Sequence, residues 1–216
     1  MVGSLYFVAV PDETGTTAME TFRIYLQLGF EHIADLKGYD HILFIVALCA
    51  GYPLKSWKKV ALLATAFTLG HSLTLALAVL DVIRIPSAIV EFLIPLTIFL
   101  TALYNAALPD NQEQQGLWTR RSVAHYALAA TFGLIHGMGF SNFLRAMLLP
   151  GEEDALGLQL LAFNLGVELG QLLIVLVALL VAFAAIQGLK VQQRSWTLFI
   201  SGAAAGLALV MALERI

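Results

Sequence analysis

The sequence predicts an all-α, polytopic membrane protein: about six transmembrane helices in one bundle, preceded by an N-terminal interfacial helix. Of its 216 residues, 59% are hydrophobic and only 12% are charged, against about half and a quarter in an ordinary soluble domain. The apolar residues gather into six windows, most of them near the roughly 20 residues a helix needs to cross the hydrocarbon core. Short polar connections such as GYPLKSW, DVIRI, PDNQEQQGLWTRR and KVQQRS separate the windows, and none leaves room for a second domain.

Residues 1–37 read as a tail and an interfacial helix. MVGSLYFVAVPDETGTT has a short apolar run without a basic leading region or a convincing cleavage site, so a signal peptide is not expected. About the first fifteen residues are expected to lack structure. The following stretch, Glu20 to Lys37, is amphipathic in the manner of a segment lying at the membrane surface. Residues 38–216 form the transmembrane domain. Its spans run Tyr39 to Gly51, Trp57 to Leu80, Pro86 to Leu108, Ser122 to Leu149, Leu156 to Leu189 and Trp196 to Leu213. The first is short and continues from the surface helix. The third should kink at Pro95, which has no N–H for the carbonyl of Glu91. The fourth is expected to be interrupted at Gly137-Met138-Gly139.

Charge narrows the partners. The net charge of -3 comes with no basic cluster interleaved with aromatics, which sets nucleic acid aside and leaves the lipid bilayer and small solutes. Cys49 is the only cysteine, so no internal disulfide forms, and a ligand role would be solitary. Lys55, Lys58, Lys59, Arg120, Arg121, Lys190 and Arg194 flank the spans on one side. Arg23, Lys37, Arg84, Arg145 and Arg215 lie on the other, with Glu152, Glu153 and Asp154 beside them. Retention of basic residues in the cytoplasm then puts both termini outside.

Ionisable groups inside the spans point to function. At a rise of about 1.5 Å per residue, Asp40 and His41 fall near the outer end of the first span and Glu91 one to two turns into the third. His71, His136 and Glu168 lie deeper. Such a group facing lipid costs on the order of 3 kcal/mol or more, so these side chains should face the bundle interior and meet. Imidazole with carboxylate suits a divalent transition metal such as nickel, zinc, cobalt or manganese, nickel and zinc being the natural candidates; a site without thiolates does not suit Cu(I).

Each motif also has a plainer explanation. Asp40 in GYDHILF could cap a helix, which leaves His41 unexplained. His71 in FTLGHSLTL, beside Thr68, Ser72 and Thr74, could be a neutral histidine bonded to a hydroxyl. Glu91 could snorkel to water. Gly133 and Gly137 bracket His136 at a spacing that admits a close helix, or the glycines could free carbonyls as in the broken helices of transporters. Asn164, Glu168 and Gln171 in FNLGVELGQ share one helix face, giving a carboxylate flanked by two supporting amides. His125 and Asn105 read as interface or cap residues, and His32 as an exposed, solvated histidine.

In this order, GYDHILF, FTLGHSLTL, VEFLIPL, FGLIHGMGF and FNLGVELGQ make the chain resemble the second branch of the HupE/UreJ membrane proteins, over about Gly29 to Gln171. The resemblance implies a nickel or nickel/cobalt permease in the inner membrane of a prokaryote. It places the polar pattern on Asp40, His41, His71, Glu91, His136 and Glu168, supported by Asn164, Gln171 and Ser72. The chemistry of the residues leaves an alternative open: an intramembrane zinc-dependent hydrolase using the same cluster. A homo-oligomer is compatible with either.

Overall fold

The computed structural model describes residues 17–107, 117–118, 120–147 and 155–215; the N-terminal tail and the acidic group at 152–154 lie outside them. Among the described residues every regular element is helical: α1 (Ala18–Ala34), α2 (Asp40–Cys49), α3 (Trp57–Val79) after a 3-10 turn, α4 (Ser87–Ala107), α5 (Arg120–Met147), α6 (Leu156–Phe183) and α7 (Gln193–Leu213). A π turn, Ala184–Gly188, ends α6. Four stretches are long and apolar enough to cross a membrane, Leu54–Val79, Ser87–Ala107, Leu156–Gly188 and Gln193–Leu213, and α2 is a shorter apolar helix. The protein is therefore a multi-pass, all-helical membrane protein.

Lipid exposure explains the surface. Along α6, Leu161, Leu165, Leu169, Leu173, Leu176 and Leu180 are each 43% exposed or more. They recur at helical spacing down one face. Water would penalise that stripe, whereas hydrocarbon does not.

Three helix pairs make the frame. In α3 and α5, a Cβ added at Gly70 would overlap the carbonyl oxygen of Ala130, and one at Gly133 that of Phe67. The two glycines let the backbones touch, as small residues do between membrane helices. The same arrangement joins α1 and α6, where Gly29 lies against the Phe163 carbonyl and Gly166 against that of Leu26. Here Gly166 faces 26–30 and Gly170 faces 30–33, so the two helices run in the same direction. The third pair, α4 and α7, is antiparallel and held at its ends: Arg194 donates to the Ala106 carbonyl (2.5 Å) and Arg215 to that of Glu91 (2.8 Å).

The segment read as a surface helix thus lies along a transmembrane one. A capping box starts it, with Thr17 Oγ1 accepting from the Glu20 N–H and the Glu20 carboxylate accepting from the Thr17 N–H. Beyond the break at 35–39, Ile42, Val46 and Cys49 of α2 face Leu173, Val177 and Val181 of α6 across a shared apolar groove. α1 and α2 follow α6 in turn, as two halves of one discontinuous element.

α2 is the centre of the bundle. Phe44 and Ile45 are fully buried, Asn105 of α4 donates to the Ala47 carbonyl (2.6 Å) and Thr197 of α7 to that of Ala50 (3.0 Å). Two residues after α3, Asp81 has a φ of 62° and turns the chain. Its carboxylate pairs with Arg84 and raises the arginine's pKa.

One expectation is overturned. α5 runs unbroken from Arg120 to Met147 through Gly137-Met138-Gly139. Gly137 lies against the His71 carbonyl and the Thr74 hydroxyl, so its missing side chain makes room for α3 and frees no carbonyl. α4 is assigned as one helix with Pro95 inside it.

Replacing Gly133 with leucine should push α3 from α5 and cost about 1–3 kcal/mol or more. Gly202→Leu, with nothing near its added carbon, should be close to neutral. Thermal unfolding of the detergent-solubilised variants, followed by size-exclusion chromatography, measures both.

Candidate metal centre

Four helices deliver four imidazoles to one place. His32 ends α1 and His41 begins α2, on either side of the break. His71 comes from α3 and His136 from α5, brought together by the glycine contact between those helices. His32 and His41 have ring centroids 4.7 Å apart, His32 and His71 5.9 Å, His41 and His71 6.2 Å, and His41 and His136 5.3 Å. His71 and His136 are 0% and 1% exposed. His32, His41 and His71 each present a ring nitrogen within 4.8 Å of the others.

The hydrogen bonds leave particular nitrogens facing inward. His136 Nδ1 bonds to the Phe132 carbonyl (2.9 Å) and His41 Nδ1 lies 3.0 Å from Asp40 Oδ1. In each ring this leaves Nε2, which is buried without a hydrogen-bond partner. Both nitrogens of His71 are also without one; the Asn164 amide interacts with that ring from α6 but does not close a bond of ordinary geometry. A buried polar atom without a partner costs about 1–3 kcal/mol, and four such nitrogens in one cluster are donors that a metal ion or water could satisfy.

Asp40 supports the site from behind. It is the first residue of α2, after the cap position at Tyr39, and its Oδ1 accepts from the His41 N–H (2.8 Å) while holding the His41 ring. A carboxylate in that place fixes the ring's tautomer and aims Nε2. The capping explanation of Asp40 does not hold: the cap residue is Tyr39, with no side-chain cap hydrogen bond, and the carboxylate is instead the partner of His41.

The polar face of α6 packs on α3, as its spacing implies. Thr65 donates to Glu168 Oε1 (2.6 Å) and Thr68 to Gln171 Oε1 (2.7 Å). Glu168 Oε2 and Asn164 Oδ1 remain buried without a partner. Ser72 turns away, its hydroxyl donating to the Thr68 carbonyl of its own helix (2.7 Å).

Two sequence readings change. Glu91 is not brought to the cluster: the inward face of α4 runs through Val90, Ile94, Thr97, Ile98 and Thr101, which leaves the Glu91 side chain exposed. His32, read as solvated, is half-buried and within electrostatic range of His41, His71 and His136. The reason is the break after Ala34, which reverses the expected separation of His32 and His41. A signal was available: Leu28-Gly29-Phe30-Glu31 and Leu165-Gly166-Val167-Glu168 share a glycine in the same local pattern, and those glycines join α1 to α6.

Thr65→Val should leave Glu168 Oε1 unpaired and destabilise the fold by about 1–3 kcal/mol. Glu168→Gln in that background should recover part of the loss, as a thermal-unfolding double-mutant cycle would show.

No curated protein and no solved structure matches the chain. A match to the family described as HupE / UreJ protein spans residues 11–215, and with it the chain belongs to the HupE/UreJ family, a family associated with nickel and cobalt transport.

Proposed function

We propose that the protein is a permease for a divalent transition metal, nickel first, which binds at His32, His41, His71 and His136. The observation that supports this most directly is the set of ring nitrogens buried without partners. Neutral imidazole is a donor that nickel, cobalt and zinc favour. A metal–nitrogen bond of about 2.1 Å in a tetrahedral site sets donors about 3.4 Å apart. The three rings within 4.8 Å therefore close by about 1 Å on binding, a small rearrangement.

The broken element favours transport over a static site. The free carbonyls at the end of α1 make a negative pole next to His32, which attracts a cation. At the start of α2 the opposite pole meets the Asp40 carboxylate. Discontinuous helices with ion sites at their half-helix ends are the working parts of many transporters, because the break can move without unfolding a whole span. The membrane would be the inner membrane of a prokaryote, with both termini outside and the metal entering from that side. Glu168, Asn164 and Gln171 stand behind the imidazoles on α6. They would hold α6 and His71 in register and, at Glu168 Oε2, take up a proton released when metal binds.

The test is the purified chain in vesicles with a nickel-sensitive dye inside. Wild-type protein should carry nickel inward, and His71→Ala and His136→Ala should each reduce flux at least tenfold while keeping the wild-type elution volume. Asp40→Asn should weaken nickel binding by about 10–100-fold, the effect of losing a carboxylate behind a ligating histidine; equilibrium dialysis measures it. Tight binding with no flux in the wild type would refute the permease and favour the hydrolase.

A further inference from the structure

The apolar groove beside α2 continues into a polar pocket at one end of the bundle. The groove holds about 420 Å³; α2 and α6 wall it, and Trp196 and Ile200 of α7 complete it. Leu173 and Val177 on its rim are 49% and 53% exposed, so it opens to hydrocarbon and not to the bundle interior. Along α6 the lining runs from Leu173 to Ala182, about 14 Å at a rise of about 1.5 Å per residue. One leaflet contributes about 15 Å to a hydrocarbon core of roughly 30 Å. The groove occupies the half of the Leu156–Gly188 span that ends in the π turn. Its length and depth are those of an acyl chain in one leaflet.

Near Ala50 and Ala182 the lining changes character. Gly51 follows Ala50, Phe183 follows Ala182, and Gln193 lies one turn before Trp196; these three, with Pro53, Leu54 and Gln187, line a pocket of about 290 Å³. Gln193 Nε2 is buried without a hydrogen-bond partner among the described residues. Gln193 also opens α7, whose N-terminus no side chain caps, so the first N–H groups of that helix lack intrahelical acceptors. Charge here is one-sided. Lys55 adjoins Leu54, Lys190 lies between Gln187 and Gln193, and no Asp or Glu occurs in 49–59 or 169–194. Both lysines are exposed. Exposed Trp57 and half-buried Trp196 put the pocket at the level where tryptophans meet lipid headgroups.

We propose that groove and pocket together bind one anionic phospholipid, its acyl chain lying along α2 and α6 and its phosphate at Gln193. The assignment needs only a membrane-spanning chain and stands apart from the permease reading. Any lipid can enter an apolar groove that opens to hydrocarbon, so the groove alone selects nothing. Selection comes from the pocket. A phosphate there accepts from Gln193 Nε2 and from the free N–H groups of α7, where the helix dipole favours an anion. Lys55 and Lys190 add the attraction that basic pockets between membrane helices have for acidic headgroups. A zwitterionic headgroup brings a cation into the same basic surroundings and gains less. The far end of the groove is lined by Ala34 and Ile42, on either side of the break at 35–39, so the bound tail braces α2 against α6 beside the joint.

Trp196 makes the site readable. Trp57→Phe with Trp118→Phe leaves it the only tryptophan of the full chain, and a brominated acyl chain in the groove quenches its fluorescence. In mixed micelles, brominated phosphatidylglycerol should reach half-maximal quenching at a mole fraction at least fivefold lower than brominated phosphatidylcholine. Gln193→Leu should raise the phosphatidylglycerol midpoint at least threefold and leave that of phosphatidylcholine unchanged. Lys55→Gln with Lys190→Gln should bring the two midpoints together; these lysines are exposed, so the pair tests the site even if Gln193→Leu fails to fold. Equal midpoints before either change mean bulk lipid only and overturn the proposal. A preference unchanged by Gln193→Leu, which diffuse attraction to the basic face would give, overturns it too, as does a preference that survives loss of both lysines. Quenching by neither lipid means that a second copy of the chain or another protein covers the groove, and this also overturns it.

Discussion

The architecture depends on backbone touching backbone. Gly70 and Gly133 bring α3 against α5, and Gly29 and Gly166 bring α1 against α6. Each contact lies within a turn of a histidine: Gly70 precedes His71, Gly133 is three residues before His136, and Gly29 three before His32. Any side chain at these glycines would separate the helices and carry the imidazoles apart with them. In a bilayer, where apolar side chains gain little by leaving lipid, such close approach is a main source of helix association. The same few residues thus provide cohesion and aim the site.

Around that scaffold, buried polar groups are partly paired. Hydroxyls of α3 donate to one oxygen of the Glu168 carboxylate and to the Gln171 amide oxygen of α6, Asp40 satisfies one side of His41, and a backbone carbonyl satisfies one side of His136. Buried atoms without a hydrogen-bond partner remain on His41, His71 and His136, and also on Asn164, Glu168, Gln193 and Ser201. Three of the imidazoles lie close enough together that they could hold a metal ion.

Much of this was legible from the residues. Apolar runs near the length of a bilayer crossing announced the spans, and the cost of burying ionisable groups singled out His41, His71, His136 and Glu168. The i, i+4, i+7 face of α6 appeared as read. Three features were not legible, for definite reasons. Depth along a span says nothing of direction around it, so Glu91 was placed at a suitable level but on the outward side. The polar residues of α1, including Glu20, Arg23 and Glu31, gave that helix the composition of a surface segment and hid His32. The glycines of α5 were open to two interpretations, because a sequence does not show whether a missing side chain is filled by a neighbouring helix. The contact with α3 does.

The arginine clamps on α4 extend the picture to motion. Two helix pairs are locked along their glycines, and the third is pinned at both ends by guanidinium groups bound to main-chain oxygens. The interruption at 35–39, with Leu36 81% exposed, carries no such restraint. A bundle built this way bends where its central rod is jointed, and the joint falls between two of the four imidazoles. Tightening the rings around a guest would therefore pull on the joint itself, so that occupancy and shape are one variable.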